Sequence, residues 1–188
     1  SSAASDVYKR QIVGPIFVWA ENAILGAIQW MLTLPLGIGS LIMGSLYAPT
    51  VVTGIHQMYT AIDIGQLAKY GVTYWLPLAS AANVAQGAAA LAVLLKTKNS
   101  KLRQLAIPAA ISGLFGGTSE PALYGISVKM KKPLYATIIG ATVAGIYAGI
   151  VHLKVFAFGL FSVVGIPGYY SAKYSSNLQH AIITAALA

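Results

Sequence analysis

The residue of this sequence most suited to chemistry is Glu120, in the segment Gly116-Gly117-Thr118-Ser119-Glu120-Pro121. Only four acidic residues occur among the 188, and this one stands within a long apolar stretch. A carboxylate in apolar surroundings is costly unless it is paired or hydrogen-bonded, which makes it a functional candidate. The neighbouring glycines and proline break a helix and free backbone groups that can also bind a ligand. The segment therefore predicts a substrate site.

Other polar side chains within the apolar segments are weaker candidates. Thr118 and Ser119 could bind a ligand, but hydroxyl side chains also satisfy freed backbone groups in broken helices. His56 ends another apolar segment, where it could contact a substrate or be a satisfied polar group at the membrane interface. Asn83 and Gln86 are three residues apart and share one helix face. For this pair, hydrogen bonding between helices is favoured slightly over the lining of a polar pathway.

The composition indicates an integral membrane protein. The chain is 57% hydrophobic and 9% charged, whereas a soluble domain carries about 25% charged residues. Its net charge of +8 could suggest a nucleic-acid partner, but the basic residues cluster between apolar segments, as the positive-inside rule predicts. There is no cysteine, metal-ligand cluster, phosphate-binding loop or serine–histidine–acid pattern. We therefore expect no metal, no cofactor, no nucleic-acid partner and no ATP hydrolysis.

Apolar segments long enough to cross a bilayer, about 20 residues each, predict an all-α polytopic membrane protein. The predicted spans are residues 12–34, 36–55, 74–95 and 134–151. Residues 57–73 are more polar and predict a connecting or interfacial helix, with Asp63 as an interfacial or loop residue of structural role. Residues 155–166 are too short to span and predict an interfacial or re-entrant segment, followed by a loop at 167–179.

Two basic clusters, at residues 96–103 and 129–132, predict a hairpin between them. Lysine and arginine clusters favour the cytoplasm, so both ends of residues 105–128 should face that side. This stretch has 24 residues, whereas two full crossings need about 40. We therefore predict a re-entrant hairpin with residues 116–121 near its tip. Non-helical backbone at membrane depth requires a covering of protein or water, which predicts that Glu120 lies in a cavity.

Two segments resemble motifs of one bacterial family. Val51-Val52-Thr53-Gly54-Ile55-His56 and Gly117-Thr118-Ser119-Glu120-Pro121-Ala122-Leu123-Tyr124-Gly125 are similar to enzyme IIC of the phosphoenolpyruvate-dependent sugar phosphotransferase system (PTS). The similarity is to the glucose, sucrose and β-glucoside branch, and residues 81–87 and 95–99 fit it too. We interpret residues 12–188 as a partial IIC transport domain truncated at both ends. Residues 1–11 are polar and lack the apolar core of a signal peptide, so we interpret them as a non-native leader.

The resemblance implies a homodimeric, multi-pass permease in the bacterial inner membrane that takes up a sugar and phosphorylates it. The motif residues, here His56 and Glu120, would contact the sugar, with Thr118 and Ser119 as further binding residues and Glu120 in the catalytic role. The phosphoryl group would arrive from a phosphocysteine of a IIB domain, which is supplied through IIA and the phosphocarrier HPr. Because this chain has no cysteine, the donor must lie outside it.

Three points stay open in the sequence. The family's usual Gly-Ile-Thr-Glu-Pro is Gly117-Thr118-Ser119-Glu120-Pro121 here, which weakens any transfer of sugar specificity. Sucrose is favoured, with trehalose and β-glucosides as alternatives, and a proton-coupled secondary transporter with Glu120 as proton carrier is the rival mechanism. The predicted spans also put His56 near the outer end of its segment, so we predict another re-entrant piece within residues 36–73.

Overall fold

A computed structural model describes residues 38–52, 57–159 and 161–188, together with isolated positions between 15 and 34. His56 and the predicted leader at residues 1–11 lie outside the described residues. Within the described part the chain is mostly helical, and its β pairing is a single antiparallel bridge between Thr73 and Val155. This agrees with the predicted all-α class.

From residue 38 onward, the described residues form eight α-helices, two π-helices and one 3₁₀ helix. The α-helices are α1 Ile38–Val52, α2 Gln57–Tyr70, α3 Leu76–Lys96, α4 Ser100–Ile111, α5 Glu120–Ala122, α6 Val128–Met130, α7 Lys132–Ile150 and α8 Ser176–Leu187. Ser112–Gly116 and Leu123–Ser127 are π-helical, and Val163–Tyr169 is a 3₁₀ helix.

The two clearest predicted spans are confirmed as helices. Helix α3 has 21 residues and α7 has 19, and both are long and apolar enough to cross a membrane. Helix α1 has 15 described residues, Ile38–Val52, and lies within the span predicted at residues 36–55.

Helices α3 and α7 pack side by side and run in opposite directions. Leu78, near the start of α3, shares a cavity with Ala148, near the end of α7. At the opposite ends of the helices, Lys96 and Lys132 share another cavity. The buried positions of both helices include several alanines and a glycine, and such small residues let helices approach closely in lipid.

The chain between α3 and α7 is a helical hairpin, residues 100–130, which we call the glutamate hairpin. Its first arm begins at an N-cap, where the Asn99 side chain accepts hydrogen bonds from the backbone of Lys101 and Leu102. The helix is interrupted at residues 117–119, and the second arm then returns. Ala109 of the first arm and Ile126 of the second belong to one buried apolar cluster with residues of α3. The chain path matches the predicted hairpin, and its re-entry into a bilayer stays a prediction.

Two local predictions are wrong. The loop predicted at residues 167–179 contains part of a 3₁₀ helix and the first residues of α8, because Asn177 ties this region to the backbone of Lys154 and Tyr169. Asp63 is not in a loop, since it is fully buried within α2. The turn after α2 folds back over it and places the hydroxyl of Thr73 against its carboxyl group.

Candidate functional site

A cavity of about 210 Å³ lies beside the tip of the glutamate hairpin. It is lined by residues from α1, α2, α3, the hairpin and the segment after α7, namely Tyr47, Tyr59, Thr60, Ala79, Asn83, Gly117, Thr118, Ser119, Glu120 and Phe161. Three of the four predicted site residues, Thr118, Ser119 and Glu120, are therefore brought to one cavity. The fourth, His56, lies outside the described residues, although Tyr47 and Tyr59 on either side of it in sequence both line the cavity.

Glu120 is placed at the cavity by the break in the hairpin. Residues 117–119 are non-helical, and the second arm begins at Glu120 with Pro121 in its first turn, a position where proline favours a helix start. Ser119 is buried, Glu120 is half-buried and Thr118 is exposed. Carboxylate oxygens only accept hydrogen bonds, so this group suits a ligand that presents hydroxyl donors. Among the described residues, no three His, Asp or Glu side chains come together as metal ligands.

The hairpin tip is pressed against the segment that follows α7. Gly117 has a φ of +72°, and a Cβ atom there would lie 2.8 Å from the backbone nitrogen of Phe161. Only glycine combines this left-handed backbone with so close an approach. The Ser162 hydroxyl also donates to the carbonyl oxygen of Phe115 at 3.0 Å. The segment after α7 thus contacts both the tip and the end of the first arm.

Asn83 joins the tip to the same segment from α3. Its side-chain nitrogen donates to the carbonyl oxygens of Gly117 and Phe161, each at 3.0 Å. We predicted that Asn83 forms a hydrogen bond to another helix. This is wrong, because both of its acceptors lie in non-helical backbone. For Gln86, one turn later and fully buried, neither amide atom has a partner among the described residues. Helix periodicity predicts that Asn83 and Gln86 share a face, but it does not predict which segment packs against that face.

Tyr124 connects the two segments that carry the motifs. Its hydroxyl donates to the carbonyl oxygen of Val51 at 3.0 Å. Val51 is the penultimate residue of α1 and is fully buried. The second arm of the glutamate hairpin therefore contacts the end of α1. The contacting residue, Tyr124, is four residues after Glu120 in sequence.

Aromatic side chains form one wall of the cavity. The rings of Tyr47 and Tyr59 stack with centroids 5.9 Å apart, and Trp75 packs against Tyr59 at 4.3 Å. An apolar wall with a few polar groups opposite it is the usual make-up of a small-molecule site. Neither tyrosine was among the predicted site residues. Their positions on either side of the first motif were the signal that could have identified them.

Comparison with known proteins places these motifs in a family context. A family model described as "Phosphotransferase system, EIIC" matches residues 11–145. The chain is 36% identical over 178 residues to the "PTS system sucrose-specific EIIBC component" of Bacillus subtilis, covering 94% of this chain and 38% of that protein. It is 34% identical over 165 residues to the trehalose-specific EIIBC component of Escherichia coli, covering 87% of this chain and 34% of the relative.

A third relative, the arbutin-, cellobiose- and salicin-specific EIIBC component of Escherichia coli, is 39% identical over 158 residues, covering 81% of this chain and 32% of the relative. The chain thus spans between 32% and 38% of the lengths of these three curated relatives. No solved structure matches the chain significantly.

Proposed function

The chain belongs to the phosphotransferase system EIIC family, and we propose that it forms the sugar site of a membrane permease that couples uptake to phosphorylation. The observation that carries the proposal is the cavity itself. It gathers Thr118, Ser119 and Glu120 from one motif segment and is lined by Tyr47 and Tyr59, which flank the other. A sugar ring offers apolar faces to aromatic side chains and hydroxyl donors to a carboxylate.

In the proposed mechanism, the Glu120 carboxylate accepts a hydrogen bond from the reacting sugar hydroxyl, and His56 holds the sugar by a further hydrogen bond. The hydroxyl oxygen then attacks the phosphorus of a phosphocysteine on a IIB domain. A new O–P bond forms, the S–P bond breaks, the cysteine thiolate leaves and the hydroxyl proton passes to Glu120. Because phosphoryl transfer depends mainly on positioning and charge, an oriented acceptor is the main contribution of this chain.

The donor side of the reaction lies outside this chain, which has no cysteine. In the relatives, the names EIIBC and EIIBCA join IIC to IIB, and in one case to IIA. We therefore propose a IIB domain as the direct partner, with IIA and HPr supplying the phosphoryl group upstream.

For the membrane arrangement, we propose a multi-pass homodimer in the bacterial inner membrane with the glutamate hairpin as a re-entrant element. Helices α3 and α7 are the candidate spans. Both ends of the hairpin are next to the lysine-rich segments at residues 96–103 and 129–132, which favour the cytoplasmic side. We also propose a second re-entrant piece within residues 36–73, which would let His56 act together with Glu120.

Sucrose is the proposed sugar, because sucrose-specific components of several bacteria are among the relatives. The trehalose-specific and the arbutin-, cellobiose- and salicin-specific relatives make trehalose and β-glucosides the alternatives. Competition between these sugars for uptake of labelled sucrose would rank them.

The test is sugar phosphorylation in membrane vesicles, with the chain expressed from its full open reading frame and supplied with phosphoenolpyruvate and the soluble PTS proteins. We expect sugar phosphate to accumulate, and Glu120→Gln to abolish it while leaving membrane insertion intact. Normal phosphorylation by Glu120→Gln would refute the assignment of this site. Accumulation of free sugar that stops when an uncoupler collapses the proton gradient would support the rival secondary transporter.

A further inference from the structure

Asn83 has a hydrogen-bonding arrangement that determines its orientation. It is 3% exposed, and both of its neighbours, the carbonyl oxygens of Gly117 and Phe161, can only accept hydrogen bonds. The amide nitrogen must therefore face them, and each of its two protons serves one carbonyl. A single side chain on α3 thus holds two backbone segments at once.

The two carbonyl groups that Asn83 contacts, those of Gly117 and Phe161, lie outside the helices. Gly117 and Phe161 are 34 and 78 residues away from Asn83 in sequence, and both lie in non-helical backbone. Backbone carbonyls removed from water need a donor, and losing one costs about 1–3 kcal/mol. Asn83 supplies that donor to both segments from the rigid helix α3.

We propose that Asn83 is a positioning residue that sets the place of Glu120 relative to the bound sugar, an inference that rests on the proposed sugar site. Gly117 is three residues before Glu120 and is the first residue of the non-helical tip. Asn83 fixes the tip at that residue, and Phe161, its second acceptor, also lines the cavity. Without the two donated bonds, the carboxylate of Glu120 would lose its defined distance from the reacting hydroxyl.

Asn177 provides a matched control within the same chain. Its side-chain nitrogen also donates to two backbone carbonyls, those of Lys154 and Tyr169, each at 2.7 Å. It is similarly buried, at 8% exposure, but none of these three residues lines the sugar cavity. Asn83→Asp and Asn177→Asp therefore remove the same kind of donor, and only the first change affects the hairpin tip.

The first readout is enzymatic. In vesicles with the full open reading frame and phosphorylated IIB, we expect Asn83→Asp to lower kcat for sugar phosphorylation by roughly 100-fold, since small misplacements at a reacting centre have effects of that order. KM should change only a few-fold. Asn177→Asp should lower the Tm while keeping kcat within about twofold of the unaltered protein, because its partners are remote from the reacting groups. Equal kcat values for the two variants would overturn the proposal.

The second readout is independent of sugar chemistry. Because the chain has no cysteine, Thr118→Cys introduces a thiol at the hairpin tip whose maleimide labelling can be followed at that position by mass spectrometry. Adding Asn83→Asp should raise the labelling rate, and adding Asn177→Asp should leave it unchanged. An unchanged rate with Asn83→Asp would overturn the proposal even if the unaltered protein phosphorylated no sugar, an outcome that would contradict the proposed function instead.

A milder variant covers the case in which Asn83→Asp does not fold. Ser162→Ala removes a side-chain hydrogen bond that joins the segment after α7 directly to the hairpin, from the Ser162 hydroxyl to the Phe115 carbonyl oxygen. We expect it to reduce kcat severalfold and to increase labelling at position 118. A Ser162→Ala protein with unaltered kcat and unaltered labelling would contradict the positioning role of these contacts.

Discussion

The hydroxyl of Tyr124 donates a hydrogen bond of 3.0 Å to the backbone carbonyl oxygen of Val51, 73 residues earlier in the chain. Tyr124 belongs to the motif segment that contains Glu120, and Val51 begins the one that ends at His56. This contact is a direct physical link between the two segments. It shows how motifs far apart in sequence come together, as the proposed sugar site requires.

Removing the Tyr124 hydroxyl should loosen this link. Tyr124→Phe leaves the buried Val51 carbonyl without that donor, which costs about 1–3 kcal/mol of stability. We expect a lower Tm in detergent and a severalfold higher KM for the sugar in the phosphorylation assay. Tyr135→Phe is the control, since Tyr135 is 64% exposed on α7. A KM of Tyr124→Phe equal to that of Tyr135→Phe would contradict the link.

The close contact between Gly87 of α3 and Gly113 of the glutamate hairpin should not tolerate a methyl group. A Cβ atom on Gly113 would lie 2.7 Å from the Cα atom of Gly87. Because that atom belongs to the backbone, it cannot move aside as a flexible side chain could. Gly113→Ala should therefore push the hairpin away from α3, lowering stability by about 1–3 kcal/mol and sharply reducing sugar phosphorylation.

The control for this steric prediction is Gly125→Ala, in the second arm of the same hairpin. An added Cβ atom there meets nothing within 4 Å. Thermal unfolding and phosphorylation rates of the two variants should therefore differ clearly. If Gly113→Ala behaves like Gly125→Ala, the packing of the hairpin against α3 is not required for activity.

The aromatic wall should contribute to sugar affinity through the Tyr59 ring. Tyr59→Ala removes a ring that lines the cavity, stacks on Tyr47 and packs at a tilt against Trp75, and a contact made by such a ring is worth about 0.5–1.5 kcal/mol. We expect a roughly tenfold higher dissociation constant for the sugar, whereas Tyr59→Phe keeps most of the affinity. Equilibrium binding to the purified protein measures this. Tyr70→Ala, an exposed residue of the same helix, should bind sugar normally.

The buried group around Asp63 should make stability depend on pH. Thr73 Oγ1 lies within hydrogen-bonding distance of both Asp63 Oδ1 and Gln66 Oε1. The Thr73 hydroxyl has one proton, so it can donate to only one of these two oxygens. If Asp63 is protonated, its carboxyl group donates to Thr73 and the Thr73 proton is left for Gln66. Burial raises the pKa of Asp63 from 3.8 to about 7 and outweighs the hydrogen bonds from Thr73 and the Leu76 backbone, which lower it.

The sign of the effect follows from the raised pKa. The folded state binds a proton that the unfolded state releases, so stability is highest below about pH 4, falls as the pH rises towards 7 and then levels off. Asp63→Asn should remove this part of the dependence. Thermal unfolding of both proteins between pH 4 and 8 measures the difference. Parallel pH profiles for the two proteins would show that Asp63 does not titrate in this way.

Much of the fold and part of the site could be predicted from local features of the sequence. Apolar length predicted α3 and α7, and the lysine clusters around residues 105–128 predicted a hairpin there. Glycines and proline next to Glu120 predicted a break with a carboxylate at its edge. These predictions succeed because hydropathy, charge and helix breaking depend on residues that are neighbours in the chain.

Local sequence features alone were therefore sufficient to predict the helical class of the fold, helices α3 and α7, and the break in the hairpin at Thr118, Ser119 and Glu120. Only the tertiary structure decided that Asn83 donates to Gly117 and Phe161, that Tyr47 and Tyr59 line the cavity, and that Asp63 is buried. The physical reason is that the periodicity of a helix predicts which of its side chains share a face. Which residues contact that face depends on packing between segments that are distant in sequence. A cavity lined by five separate parts of the chain depends on that packing.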